Sequence, residues 1–136
     1  MIIRLLSDVH LEFSDGYMDI PKIESDKDTI LVLAGDIGLV AKPNTYVEWV
    51  EDMSMQFREI IYTAGNHEHY HGKFPRTHQK LLESFKDCSN VHVLEKETKV
   101  IDDVAFIGAT MWTDMDNENP LVMINASAEY GGMSDY

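Results

Sequence analysis

The sequence predicts an α/β domain in which a mostly parallel sheet is followed by the start of a second sheet. Its first half alternates short apolar runs with amphipathic stretches of helical period, the pattern of parallel strands joined by crossover helices. From Val91 onward the strand signals are closely spaced and resemble a hairpin. The 136 residues, 44% of them hydrophobic, are enough to build one domain with its own core.

Four runs of apolar residues are predicted as strands because they are short and rich in aliphatic and β-branched side chains. They cover residues 2–7, 29–34, 59–64 and 91–94. Residues 11–27, between the first two strands, are rich in charge and are interrupted by Gly16 and Pro21, which favours a loop. Residues 99–101 and 104–107 are predicted as a hairpin around an Asp-Asp turn.

Two segments, 44–57 and 73–86, have apolar residues at helical spacing and are predicted as helices. Pro43 and Asn44 suit the start of the first helix. Its expected apolar stripe consists of Tyr46, Val50, Met53 and Phe57. The expected stripe of the second helix consists of Phe74, Leu81, Leu82 and Phe85.

Composition excludes several classes of protein. A formal net charge of −13 argues against a broad surface for binding nucleic-acid phosphates. The single cysteine, Cys88, excludes an internal disulfide framework and is expected to be a structural thiol. No apolar run is long enough to span a bilayer, and residues 1–6 lack a basic leader and a cleavage site, so we expect a cytoplasmic protein without a membrane partner.

Polar motifs follow the first three predicted strands, at the point where each strand ends. In open α/β sheets this edge is where ligands bind, and adjacent parallel strands would bring the three loops together. Each motif alone is weak evidence, since Gly, Asn and Asp are common in ordinary turns. The three in order, each after an apolar strand, are far more specific. They are Asp8-Val9-His10, Gly35-Asp36 and Gly65-Asn66-His67-Glu68.

The residue types in these motifs suit divalent metal ions, because carboxylates and amides offer oxygen ligands and imidazole offers nitrogen. The two-residue spacing of Asp8 and His10 would place both side chains on one side of an extended segment. Gly35 and Gly65 would let the backbone turn sharply and approach a ligand closely. A carboxylate such as Asp36 is able to bridge two metals about 3.5–4 Å apart.

At these motifs the sequence resembles the calcineurin-like metallophosphoesterases, in particular small bacterial and phage members. Residues 108–113 are also similar to a Trp-containing segment of those members. The resemblance implies an α/β/β/α sandwich and an enzyme that hydrolyses phosphomonoesters or phosphodiesters with a metal-bound hydroxide at a dinuclear site. It implies two divalent metal ions, with Mn as the first expectation and Fe, Zn, Ni or Co also suitable, and no organic cofactor.

The resemblance also implies roles for the matching residues. His67 would stabilise the transition state or protonate the leaving group, and Glu68 would orient its imidazole. Asp36 would bridge the two ions. The implied metal ligands are Asp8, His10, Asp36 and Asn66.

The sequence departs from the family pattern because the later motifs, a lone His and Gly-His-x-His, are absent. We therefore expect residues 1–136 to be a single, incomplete phosphoesterase domain, the N-terminal portion, whose exposed sheet edge favours self-association or a complementing chain. Of the remaining histidines, His69 and His71 are expected to be simple loop residues rather than ligands of substrate or metal. His78 is expected on a helix surface or at a packing edge, and His92 is expected to be a structural residue of a strand.

Two alternatives remain open. One is a catalytically incomplete fragment, or a phosphoesterase-like scaffold that binds protein partners; the absent motifs favour it, and the intact first three motifs weigh against it. The other is a DNA-processing nuclease of the same superfamily, which the acidic balance disfavours. Tyr70 and Trp112 are candidates to flank a substrate, with packing as the favoured role.

Overall fold

The computed structural model describes residues 1–73, 75–112, 114–122 and 124. Its main sheet has four parallel strands in sequential order, and a separate antiparallel hairpin forms the second sheet. The main sheet consists of β1 (Ile2–Leu6), β2 (Thr29–Ala34), β3 (Glu59–Thr63) and β4 (Val91–Val93). The hairpin consists of β5 (Glu97–Ile101) and β6 (Val104–Gly108). The predicted α/β class, with its parallel first sheet, is confirmed.

Two regular helices connect the strands, α1 (Val47–Gln56) between β2 and β3 and α2 (Arg76–Ser84) between β3 and β4. Both begin three residues later than predicted. Before α1 the chain forms a 3-10 turn that contains Pro43, and Pro75 stands directly before α2, where proline is tolerated. The 3-10 turns are Leu11–Phe13, Glu24–Asp28, Pro43–Thr45 and His67–His69. The short segment Met115–Glu118 has positive φ angles at its centre and is not a regular helix.

The core lies mainly between the sheet and α1. All four residues of the predicted α1 stripe are buried, and so is Trp49, which donates a hydrogen bond to the Met18 carbonyl at 2.7 Å. On α2, Leu81 and Phe85 are buried, but the prediction for Leu82 is wrong: its side chain is 44% exposed. Leu82 follows Leu81 directly, and neighbouring residues of a helix point in different directions. Phe74 lies outside the described residues.

Several apolar side chains remain exposed on β1, an edge strand of the main sheet, and on the hairpin. Ile3 is 50% exposed, Leu5 65% and Ile107 80%. This agrees with the expected exposed sheet edge. Among the described helices, none combines the length and the apolar character needed to cross a membrane.

Candidate active site

The first two polar motifs lie side by side because β1 and β2 are parallel neighbours. The Asp8 N–H donates to the Gly35 carbonyl at 3.1 Å, and the His10 N–H donates to the Asp36 carbonyl at 2.9 Å. These bonds fix the loop after β1 against the loop after β2. One ligand atom from each of Asp8, His10 and Asp36 lies within 4.8 Å of the others. The structure therefore brings together three of the four predicted metal-binding side chains.

The backbone of these three residues differs from the sequence expectation. Asp8, His10 and Asp36 have φ angles of 53°, 50° and 57°, in the left-handed region. The chain thus turns at Asp8 and at His10, and the extended geometry assumed for their two-residue spacing is wrong. Left-handed conformations cost on the order of 1–3 kcal/mol per non-glycine residue and persist where surrounding contacts fix them. Here the bonds between the two loops provide those contacts.

The loops after β2 and β3 approach each other at two glycines. A Cβ atom on Gly65 would lie 2.2 Å from Oδ1 of Asp36, and one on Gly35 would lie 2.9 Å from the Gly65 Cα. The Asp36 Oδ1 atom accepts a hydrogen bond from the His67 N–H at 2.9 Å. The absence of side chains at both positions therefore lets the third motif reach the Asp36 carboxylate.

Glu68 does not orient the His67 imidazole as predicted. It is fully buried, and its carboxylate accepts four hydrogen bonds of 2.7–2.9 Å. The donors are the N–H groups of Asp36, Ile37 and Gly65 and the hydroxyl of Tyr62. The physical reason is the 3-10 turn at His67–His69, which points these consecutive side chains in different directions. Burial raises the pKa of Glu68, and its donors offset part of that rise.

The group that meets the His67 imidazole is Glu12, which the sequence analysis missed. Oε1 of Glu12 lies 2.9 Å from Nδ1 of His67 and 3.3 Å from Nδ1 of His10, and the Glu12 side chain is 3% exposed. Burial alone would raise the pKa of Glu12, but hydrogen bonds from His67, its own backbone and His10 lower it overall. The signal available in the sequence was an acidic residue two positions after His10, in a segment predicted as loop.

Asn66 lies just beyond the end of β3, next to these groups in the chain. Its Nδ2 donates to the Tyr70 hydroxyl at 3.0 Å, which leaves the amide oxygen as the atom suited to a cation. The Tyr70 ring stacks on His67 with centroids 4.4 Å apart. Tyr70 therefore packs against the candidate site.

The other histidines lie in different surroundings. His69 is buried, with Nδ1 3.1 Å from the Thr77 hydroxyl and its ring 5.4 Å from that of Trp112, so its prediction as a simple loop residue is wrong. His92 has Nε2 2.8 Å from Glu59, which confirms the predicted structural role. His71 is exposed in a loop and His78 is half-buried on α2, as expected.

The donor set fits a divalent cation. Two carboxylates and one imidazole converge, and a second group within 4.8 Å combines His10, Glu12 and His67. Mixed oxygen and nitrogen donors suit Mn, Fe, Co, Ni and Zn. Without a cation, Asp8, Glu12 and Asp36 would repel a phosphate anion.

Comparison with known proteins identifies the family of this chain. The model of the calcineurin-like phosphoesterase family matches residues 1–125. The chain belongs to this family. An uncharacterized protein of Acanthamoeba polyphaga mimivirus is 28% identical over 127 residues, which cover 84% of this chain and 45% of that protein.

The fold of this calcineurin-like phosphoesterase is also similar to a solved structure, the phosphopantetheinyl hydrolase (PptH) from Mycobacterium tuberculosis. The TM-score is 0.61 at 13% identity, covering 98% of this chain and 52% of the other. At that identity the likeness shows the fold alone. The chain spans about half the length of both proteins. Family membership confirms the predicted resemblance, and it implies divalent metal ions.

Proposed function

We propose that this calcineurin-like phosphoesterase hydrolyses phosphomonoesters or phosphodiesters at a site with two divalent metal ions. The observation that carries the proposal is the convergence of Asp8, His10 and Asp36 within 4.8 Å at the carboxyl ends of two parallel strands. A chance cluster would not be expected to be built from residues in the left-handed region that neighbouring loops hold in place.

Asp8, His10 and Asp36 would hold one ion, and Asp36 with Asn66 would hold the second. When bound, such ions activate a water molecule and neutralise charge on the phosphoryl oxygens. Manganese is our first choice, because carboxylate, amide and imidazole ligands suit it, and iron, zinc, nickel or cobalt would also fit.

His67 is proposed as the acid that gives a proton to the leaving oxygen. Its Nδ1 faces Glu12, so Nε2 is the nitrogen left to meet a substrate. Its ring is held between His10, with centroids 4.3 Å apart, and Tyr70. Glu68 acts on the site through the loops that it binds, and we propose it as a positioning residue rather than a catalytic one.

The test is Mn²⁺-dependent hydrolysis of an aryl phosphodiester and an aryl phosphomonoester by the purified chain. Asp36→Asn keeps the size of the side chain and an acceptor for the His67 N–H but removes the charge. We expect it to lower turnover by about 100-fold or more, because a metal ligand contributes at least as much as the groups that orient it. Asp102→Asn, in the hairpin turn, is the matched control. Wild-type turnover in the Asp36 variant would refute the proposal.

The exposed apolar residues of β1 and the hairpin favour a second candidate, a scaffold that associates with another polypeptide. A second copy of this chain is the simplest occupant, and sedimentation at several concentrations would show it. A stable complex formed by a chain without hydrolytic activity would favour this candidate over the enzyme. Cytoplasmic location, and no extended binding of nucleic acid, stay predictions from the sequence.

A further inference from the structure

We propose that Glu12 is a positioning residue that holds the imidazoles of His10 and His67 through one carboxylate oxygen. It thereby links the metal-binding loop to the acid that serves the leaving group. The catalytic consequence rests on the proposed function, whereas the positioning itself is a property of the folded chain.

The geometry assigns a proton to Nδ1 of each ring. Oε1 of Glu12 lies 2.9 Å from Nδ1 of His67 and 3.3 Å from Nδ1 of His10. An ionised carboxylate only accepts hydrogen bonds, so both nitrogens are donors. Nε2 of His10 is then the atom available to a cation, and Nε2 of His67 is the atom that meets the substrate. The carboxylate also offsets the positive charge of the His67 ring when Nε2 carries a proton.

The segment that carries Glu12 is firmly held. It forms the 3-10 turn Leu11–Phe13, in which Leu11 is fully buried and donates its N–H to the Ile37 carbonyl at 2.9 Å. The Phe13 N–H donates to the His10 carbonyl at 2.9 Å. Glu12 is therefore placed by the same loop that presents His10, and a shift of one side chain would move the other.

A second observation concerns the other carboxylate oxygen. Oε2 of Glu12 is buried and has no hydrogen-bond partner among the described residues. Burying an unpartnered carboxylate oxygen is costly, so folding stability alone does not account for a glutamate here. A role in the site does account for it, because both imidazoles need an acceptor at this position.

The test uses the metal-free chain at about pH 8, where an ordinary histidine is neutral. Nitrogen-15 NMR of the imidazoles reports which ring nitrogen carries the proton. Glu12→Met removes the acceptor at similar size, and Glu12→Gln keeps a neutral acceptor. His10→Gln and His67→Gln variants assign the signals. We expect protonated Nδ1 in both rings of the wild type, a shift to protonated Nε2 in the Met variant, and an intermediate state in the Gln variant.

Protonated Nε2 in both wild-type rings, or tautomers that do not change in a folded Met variant, would overturn the inference. Should the Met variant not fold, the same comparison is made with Gln. Mn²⁺ titration adds a second measurement, with about a tenfold loss of affinity expected when a ligand loses its orienting partner. Loss of Mn²⁺ binding without any change in the tautomers would instead make Glu12 a metal ligand. A tautomer shift in a chain without hydrolytic activity would refute the proposed function and leave the positioning role intact.

Discussion

Two buried carboxylates serve the same group of loops in different ways. Glu68 receives three backbone N–H groups and one tyrosine hydroxyl, and each of these bonds fixes the course of the chain. Glu12 receives two imidazole nitrogens, and one of its oxygens has no partner in the described part of the chain. The side-chain donors to Glu12 are two residues proposed for catalysis, whereas the donors to Glu68 are mainly backbone N–H groups.

The different partners of Glu68 and Glu12 indicate two roles. Glu68 stabilises the loops that form the site, and Glu12 orients side chains within it. A carboxylate with four donors stabilises the loops whether or not a substrate is present. A carboxylate that orients imidazoles sets which nitrogen faces the ligand. Replacing the two glutamates should therefore affect different measurements.

The largest effect is expected from Glu68→Gln. The amide offers one acceptor oxygen, and its NH₂ group would face backbone N–H groups that need an acceptor. Each unsatisfied buried group costs about 1–3 kcal/mol, so we expect a loss of about 3 kcal/mol or more in the free energy of unfolding. Urea unfolding followed by circular dichroism measures it. Tyr62→Phe, which removes one donor of the four, should cost about 1 kcal/mol. Equal losses in the two variants would show that the backbone bonds are not the main contribution.

A smaller effect, confined to the site, is expected from Gly65→Ala. The new Cβ would lie 2.2 Å from the Asp36 Oδ1 and 2.8 Å from the Asp36 backbone nitrogen, so both the carboxylate and the chain at Asp36 have to move. We expect Mn²⁺ affinity to fall at least about tenfold, the loss typical of a disturbed ligand. Gly16→Ala is the control, because Gly16 has a φ of 79° and lies outside the three motifs. It should cost about 1 kcal/mol of stability and leave Mn²⁺ affinity unchanged. The same loss of affinity in both variants would contradict this account.

The sequence predicts the sheet well because buried parallel strands are nearly continuous apolar runs. The predicted and observed bounds of β2 are the same, and the other strands of the main sheet end one residue early. The helix starts differ because the 3-10 turn at Pro43 and the position of Pro75 cannot be derived from apolar periodicity. The exposure of Leu82 was missed for a related reason. Residue type alone does not determine which of the adjacent Leu81 and Leu82 side chains faces the core.

For the candidate site, too, some features were predictable from the sequence and others were not. The convergence of Asp8, His10 and Asp36 is predictable because each follows the end of a parallel strand. The contacts of Glu12 and Glu68 are not, because 3-10 turns and left-handed residues set where their side chains point. Neither 3-10 turns nor left-handed residues have a periodic sequence pattern from which they could be predicted.

Asp26, a third buried carboxylate, tests the comparison outside the candidate site. Its oxygens accept hydrogen bonds from the Ile23 N–H at 3.0 Å, from Gln56 and from Arg4 at 3.0 Å. Burial alone would raise the pKa of Asp26, but these three donors and the charge of Arg4 lower it overall. Asp26 should therefore stabilise the fold without affecting catalysis, because its partners lie outside the candidate site.

The smallest effect is expected from Asp26→Asn, which should cost about 1 kcal/mol near neutral pH and leave Mn²⁺ affinity unchanged. Because the folded-state pKa lies below the ordinary value of 3.8, the stabilisation is present above 3.8 and is lost as the pH falls through the folded-state pKa. The difference between wild type and variant should accordingly shrink in acid, as measured by urea unfolding at a series of pH values.

Asp102→Asn is the matched control, because its ion pair with Arg58 is exposed and asparagine tolerates the φ of 52° there. Exposed ion pairs contribute little, so this variant should lose less stability than the Asp26 variant near neutral pH. A pH-independent loss in the Asp26 variant would mean that packing, and not the charge of the carboxylate, stabilises this part of the fold.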